Sequence, residues 1–304
     1  MKRTMLAKVR AYLKQRRALG YRLRSQGQEL LSFARYADRR GRAKPLTCSV
    51  ALSWACLPKS ASRLYWAHRL ATVRTFARHL RLTELKTQVP ARHLLGPTHQ
   101  RRCPHLYTPA QLQTLLRRAG QLRGQFRRYT WSTLLGLLAC SGLRVSEALR
   151  LKAPDIDWEQ GVLLIRDSKY GKTRLVPLHR TALKPLRAYA QRRQARFPEA
   201  EYFFASQKGR EMSRDTAERT FQQLRQGLVF TGRPPRLQDL RHTFASRVLQ
   251  RAQARGRGAG NRVLILSRFL GHSHVEDTYW YLSALPGLLN RAAERFALKD
   301  DENA

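Results

Sequence analysis

The sequence predicts a mainly α-helical protein with one small antiparallel β-sheet. Three observations carry this. Residues 1–95 place apolar side chains at helical spacing and show no strand-like alternation. Only two β signals follow, Gly161–Asp167 and Thr173–Leu178, joined by the polar turn Ser168-Lys169-Tyr170-Gly171-Lys172, as a hairpin requires. Between the two regions, Leu95-Gly96-Pro97-Thr98-His99-Gln100-Arg101-Arg102-Cys103-Pro104 holds breakers and charge without an apolar period. The expected organisation is a helical bundle over 1–95, a linker over 96–105 and an α+β domain over 106–304.

The first helix is expected over Met5–Leu19, where Gly20 stops it. The second spans Ser25–Arg39, with Leu30, Leu31, Phe33, Ala34 and Ala37 as its apolar stripe. Thr47 can cap a third helix that runs through Cys56. The fourth covers Ala61–Leu80, with Leu64, Tyr65, Ala67, His68, Leu70, Ala71, Val73 and Phe76 facing inward. The second domain opens with Thr108 as N-cap, Pro109 in the first turn and Gln111 three residues after the cap. A helix over Tyr129–Cys140 ends at Gly142, and from Thr181 onward the chain is mostly helical. Ala252–Gly260, with three glycines and two arginines, reads as a flexible insertion between helices.

Charge narrows the function. Lys and Arg number 59 against 20 Asp and Glu, a net +39. Residues 1–100 alone hold 22 basic and 3 acidic side chains. Such a surface favours a polyanion, nucleic acid first among them. No apolar run approaches the roughly 18–20 residues of a membrane span, and no signal-peptide segment follows the basic start. A cytoplasmic chain with no membrane contact is expected. Cys48, Cys56, Cys103 and Cys140 include no pair at zinc-knuckle spacing, Cys103 and His105 lack two further ligands nearby, and Cys140 is expected in the core.

Four stretches carry chemistry. In Cys140-Ser141-Gly142-Leu143-Arg144-Val145-Ser146-Glu147, a glycine ends a helix, and Arg144 follows with Glu147 close enough to orient it. The same pattern also fits a structural ion pair at a helix corner. Lys169 and Lys172 at the hairpin tip can reach into a groove, or simply solubilise. In Arg236-Leu237-Gln238-Asp239-Leu240-Arg241-His242, the spacing puts Gln238 and Arg241 on one helix face. In Leu270-Gly271-His272-Ser273-His274-Val275-Glu276-Asp277-Thr278-Tyr279-Trp280-Tyr281, Thr278 and Tyr281 share a helix side and Tyr279 points elsewhere.

Arg144-x-x-Glu147, Gln238-x-x-Arg241, Leu270-Gly271-His272 and Tyr281 nine residues later resemble, in order and spacing, the tyrosine recombinase (phage integrase) family. The resemblance covers about residues 105–290, and the N-terminal helices look like that family's core-binding domain. Leu19-Gly20-Tyr21 and Thr278-Tyr279-Trp280-Tyr281-Leu282 look like recombinases of transposon-like elements that encode several recombinases in tandem.

The resemblance implies a site and a reaction. Tyr281 would attack the scissile phosphate and form a 3′-phosphotyrosyl link, with Tyr279 as the alternative nucleophile. Arg144 and Arg241 would clamp the non-bridging oxygens through paired hydrogen bonds. His272 would add a donor, and Lys169 would protonate the leaving 5′ oxygen, with Lys172 as its fallback. Glu147 would hold Arg144 in place. Lys172, Arg174 and His242 are assigned to DNA contact. The phosphotyrosine conserves the bond energy, so neither a cofactor nor a metal is needed. Gln238 departs from the family, which usually has histidine and sometimes lysine there. Glutamine cannot act as a general base near pH 7, so slower cleavage is expected. The expected partners are double-stranded DNA and further protomers, as a homo-tetramer or with related recombinases, with the segment Leu285–Leu298 packing on a neighbour. The rival readings are a type IB topoisomerase-like relaxing enzyme and a non-catalytic DNA-binding protein.

Overall fold

The computed structural model describes residues 4–41, 44–100, 103–166, 171–230, 232–254 and 259–283. Lys169 and the segment Leu285–Leu298 therefore lie outside the described residues. The chain divides into two compact units, Met1–Arg102 and Cys103–Ala304.

The first unit packs α1 (Met5–Ala18), α2 (Arg24–Arg40), α3 (Cys48–Ala55) and α4 (Arg63–Arg81) around Val9, Phe33, Trp54, Val73 and Phe76. Thr47 caps α3, accepting from the Val50 amide. Tyr65 and His68 on α4 are exposed, contrary to expectation. The buried stripe of α4 runs through Ala67, Leu70, Val73, Phe76, Ala77 and Leu80, a 3–4 spacing that leaves those two on its flank. The acids of this unit are engaged internally. Asp38 accepts from the amides of Met5 and Leu6 at 2.8 and 3.0 Å, capping α1. Glu29 accepts from the Thr72 hydroxyl at 2.7 Å, and Glu84 pairs with Lys8 at 2.7 Å. The arginine-rich surface is thus left largely without local carboxylates.

The second unit is built on α6 (Gln125–Ser141), which packs against α5 (Pro109–Ala119), α8 (Arg180–Arg196) and α10 (Asp239–Ala254). Its buried Trp131, Leu134, Leu135, Leu137 and Leu138 occupy the centre of the core. α6 starts four residues before the expected Tyr129, and Phe126 in that added turn is buried against the core. Cys140 lies on its exposed side rather than in the core. The Thr108–Gln111 capping box forms as expected at α5.

The sheet has a third strand that the sequence did not suggest. β1 (Ile156–Asp157), β2 (Val162–Ile165) and β3 (Arg174–Pro177) pair antiparallel in that order, with Leu163 opposite both Ile156 and Val176. Two residues are too few to show alternation, so β1 was invisible to a periodicity argument. Short α7 (Val145–Leu149) follows α6, and α9 (Arg214–Arg225) lies between α8 and α10. α11 (Ala259–Leu270) and α12 (Glu276–Ser283) complete the described part. Of the insertion expected over Ala252–Gly260, residues 255–258 lie outside the described residues, and α10 continues to Ala254 and α11 begins at Ala259.

Gly142 ends α6 in the left-handed region, at φ +61°, with its amide donating to the Leu138 carbonyl. A Cβ there would lie 2.5 Å from a ring carbon of Phe244 on α10. Gly142→Ala is therefore expected to cost about 2–4 kcal/mol, combining backbone strain with overpacking. Urea unfolding measures it, and a loss below about 0.5 kcal/mol would show that this corner yields.

Candidate active site

α11 ends in a glycine cap. Gly271 adopts φ +68°, its amide donates to the Arg268 carbonyl at 3.0 Å, and the His272 amide donates to the Ser267 carbonyl at 3.0 Å. This is the paired hydrogen-bond pattern of a Schellman turn. It fixes the backbone of His272 directly beyond the helix.

The last carbonyls of α11 take arginines. Arg174 Nε donates to the Phe269 carbonyl at 3.0 Å. An Arg241 terminal nitrogen donates to the Leu270 carbonyl at 2.8 Å, and one of Arg144 to the Gly271 carbonyl at 3.2 Å. Three consecutive carbonyls thus accept from three arginines drawn from three separate elements. The negative end of the helix dipole favours such cations. The other terminal nitrogen of Arg241 donates to the Gly142 carbonyl at 2.8 Å, so both capping glycines hold arginines. Gly271 must be glycine on packing grounds too, because a Cβ would meet the Arg174 guanidinium at 3.0–3.1 Å.

Glu147 ties two of the arginines together. Its carboxylate accepts from the Arg144 amide at 2.9 Å, from the Arg144 guanidinium at 2.8 Å, and from Arg174 at 3.0 and 2.8 Å. The Glu147 side chain is only 2% exposed. Arg144 and Arg174 share this carboxylate and Arg241 stands close by, so among these four side chains positive charge exceeds negative in a largely buried site. Burial, with Arg144 next to it, pushes the Arg241 guanidinium down to about 10. A site that strains to keep its cations charged is poised to accept an anion.

Tyr281 completes the arrangement. It is buried on α12 in a small core with Ala245, Leu249, Val263, Leu266 and Leu270. Arg241 lies close enough for its positive charge to act on the hydroxyl. Burial raises the Tyr281 pKa, opposed by Arg241 and Arg144. The His272 ring stacks near it, with centroids 6.0 Å apart and planes at 20°, and the His242 ring centroid lies 5.4 Å away with its plane tilted by 53°. Burial, aided by Arg241, pushes His272 down to about 3, and burial pushes His242 down to about 4. Both imidazoles are neutral near pH 7.

The structure brings Arg144, Glu147, Arg241, His272 and Tyr281 together. Gln238 lies in the turn ahead of α10 and not on the helix, because Arg236 and Asp239 close the helix start by donating and accepting across it. The Gln238 carbonyl accepts from the Arg241 amide at 3.1 Å, and its side-chain oxygen accepts from the Val145 amide at 3.4 Å. Arg174, assigned above to DNA contact, has its guanidinium on Glu147 and Phe269, and His242 packs on Tyr281. Lys172 is exposed just ahead of β3. Tyr279 is 50% exposed and points away from Tyr281's small core. The joining role of Arg174 escaped the sequence reading, as did the carbonyl cradle. The available signal was Gly271 after an apolar helix, which marks a helix cap.

Residues 107–286 match the model of the phage integrase family. A Sinorhizobium fredii protein named as an integrase/recombinase is 38% identical over 94% of this chain and 95% of its own length. The tyrosine recombinase XerC of Chlamydia trachomatis is 30% identical over 70% of this chain and 64% of its own. Among solved structures, the Tn1549 transposon integrase in complex with transposon right end DNA covers 95% of this chain and 99% of its own, with TM-score 0.68 and 18% identity. At that identity the likeness shows the fold. The chain therefore belongs to the phage integrase family, the tyrosine recombinases that break and rejoin DNA.

Two outcomes follow from this geometry. Glu147→Ala leaves Arg144 and Arg174 facing each other without their shared acceptor, and should cost about 3–5 kcal/mol in urea unfolding. A loss under about 1 kcal/mol would show the pairing to be dispensable. Stability should also fall with acid. The unfolded chain protonates His272 and His242 near their usual value of about 6.5, while the folded chain resists until about 3 and 4. Their contribution is complete above about pH 6.5 and is lost progressively below it. The urea midpoint should drop between pH 7 and pH 5, and a His242→Asn, His272→Gln variant should show a shallower drop. An unchanged slope would contradict the buried, neutral assignment.

Proposed function

We propose that this chain is a site-specific recombinase that cuts and rejoins double-stranded DNA through a 3′-phosphotyrosyl intermediate, with Tyr281 as nucleophile. The observation that carries the assignment is the buried Tyr281 hydroxyl, acted on by the positive charge of Arg241 and Arg144 and facing the ring of His272. A scissile phosphate would meet that positive charge. Arg144 and Arg241 would bind its non-bridging oxygens and stabilise the charge that builds as five bonds form at phosphorus. The Tyr281 hydroxyl would give its proton to solvent, and its oxygen would bond to phosphorus as the bond to the 5′ oxygen breaks. That oxygen would leave protonated, by Lys169 on the family resemblance. Attack by the 5′ hydroxyl of a second DNA then reverses the step on a new partner.

Gln238 fits this reading as a positioning group. Its oxygen accepts the amide next to Arg144, and its main chain holds the start of the helix that carries Arg241. It cannot take the tyrosyl proton, so cleavage should be slower than with a histidine there, on the order of 10²-fold for lost acid–base help. In the same reading the chain acts in the cytoplasm as a tetramer across two DNA sites, alone or with related recombinases.

The test is covalent capture on a nicked suicide substrate carrying the element's end sequence. Wild type and Tyr279→Phe should form a protein–DNA adduct, Tyr281→Phe none, and Gln238→His should form it faster. An adduct that survives Tyr281→Phe would refute the assignment. No adduct in any variant, on DNA that demonstrably binds with a steep salt dependence, would leave a binding protein in its place.

A further inference from the structure

His272 touches a residue that no part of the mechanism above uses. Its Nδ1 lies 2.6 Å from the Thr278 hydroxyl oxygen. Thr278 is fully buried, at 0% exposure, one helical turn ahead of Tyr281 on α12. The glycine cap fixes the His272 backbone and Thr278 fixes its ring. Burial among Arg241 and Arg144 keeps the ring neutral, so it carries a single N–H. Which nitrogen holds that proton decides what the histidine can do.

Burial discriminates between the two tautomers. The Thr278 hydroxyl is fully buried, and among the described residues its one side-chain hydrogen bond is to His272 Nδ1. Were Nδ1 the protonated nitrogen, the buried hydroxyl hydrogen would be left without an acceptor, whereas a lone pair on Nδ1 accepts it. We propose that Thr278 is a positioning residue that donates its hydroxyl hydrogen to His272 Nδ1, and so holds the proton of the ring on Nε2. His272 then presents an N–H, not a lone pair, to an anion bound by Arg144 and Arg241. It serves as a hydrogen-bond donor to the phosphate and is unavailable as the base for Tyr281. α12 thereby delivers two coupled groups from one face: the nucleophile, and the hydroxyl that sets the state of its neighbour.

The assignment rests on the recombinase reading for its consequence and on the hydrogen bond for its existence, so two measurements separate them. In the full chain without DNA, selective ¹⁵N-histidine labelling and long-range ¹H–¹⁵N correlation report the tautomer directly, with His272→Asn identifying the signal. Wild type and Thr278→Ser should show His272 protonated at Nε2, and Thr278→Val should lose that preference. Protonation at Nδ1 in wild type, or an unchanged tautomer in Thr278→Val, would overturn the proposal. In the capture assay, Thr278→Val should slow adduct formation about 10- to 100-fold, up to the cost of losing one transition-state donor. DNA affinity should be unchanged and Thr278→Ser should recover most of the rate. Combined with His272→Ala, Thr278→Val should add nothing further. Full additivity would overturn the proposal. Absence of any wild-type adduct would count against the recombinase reading alone, with the tautomer measurement still deciding Thr278.

Discussion

A helix that ends inside a protein must find donors for its last carbonyls, and α11 finds arginines. Phe269, Leu270 and Gly271 accept in turn from Arg174, Arg241 and Arg144. Each of those arginines starts from a different place: β3, α10 and the turn before α7. The end of one helix therefore sets the spacing of the cationic groups, and the glycine that caps it also sets the backbone of His272. The same cap leads into the turn that returns the chain to α12 and Tyr281. Few groups in the site are held by a single contact, which is what a preorganised charge-stabilising site requires.

The electrostatics explain why the arrangement awaits a ligand. Arg144 and Arg174 around Glu147, with Arg241 close by, put more positive than negative charge among these side chains in a medium of low effective dielectric, where each charge is costly. A phosphodiester supplies one negative charge and its transition state more. The protein meets the cost of holding the cations with backbone carbonyls, which orient the guanidiniums without neutralising them. Glu147 engages Arg144 and Arg174, whereas the charges of Arg241 and Arg144 act on Tyr281. The first unit follows a comparable logic at its own surface. Asp38, Glu29 and Glu84 serve internal bonds, so its outer arginines keep their charge for a polyanion.

Much of this was legible in the sequence, and the gaps have physical causes. Helices with an apolar stripe and a side-chain cap, such as α3 behind Thr47 and α5 behind Thr108, were legible almost to the residue. α6 was legible at its glycine end but not at its arginine-bearing start. β1 was too short to carry a period. Spacing alone grouped Arg144 with Glu147 and Thr278 with Tyr281, and the family resemblance added His272. Spacing misplaced Gln238 onto a helix, because Asp239, one residue later, is what starts α10. Arg174 was assigned to DNA contact from its place next to the hairpin. Its bonds to Glu147 and Phe269 depend on long-range packing that no local pattern encodes. Thr278 was legible as a neighbour of Tyr281 on the helix side, but its bond to His272 depends on the turn between them.

The central claim is that the arginines held by α11 exist to neutralise the scissile phosphate. The most direct measurement is cleavage of a substrate whose scissile phosphate is replaced by an uncharged methylphosphonate, comparing wild type with Arg241→Ala. If charge neutralisation is the role of Arg241, its removal should cost far less on the phosphonate than on the phosphate, by about tenfold or more in relative rate. An equal loss on both substrates would mean that Arg241 holds the fold of the site and not the charge of the phosphate, and would contradict the account.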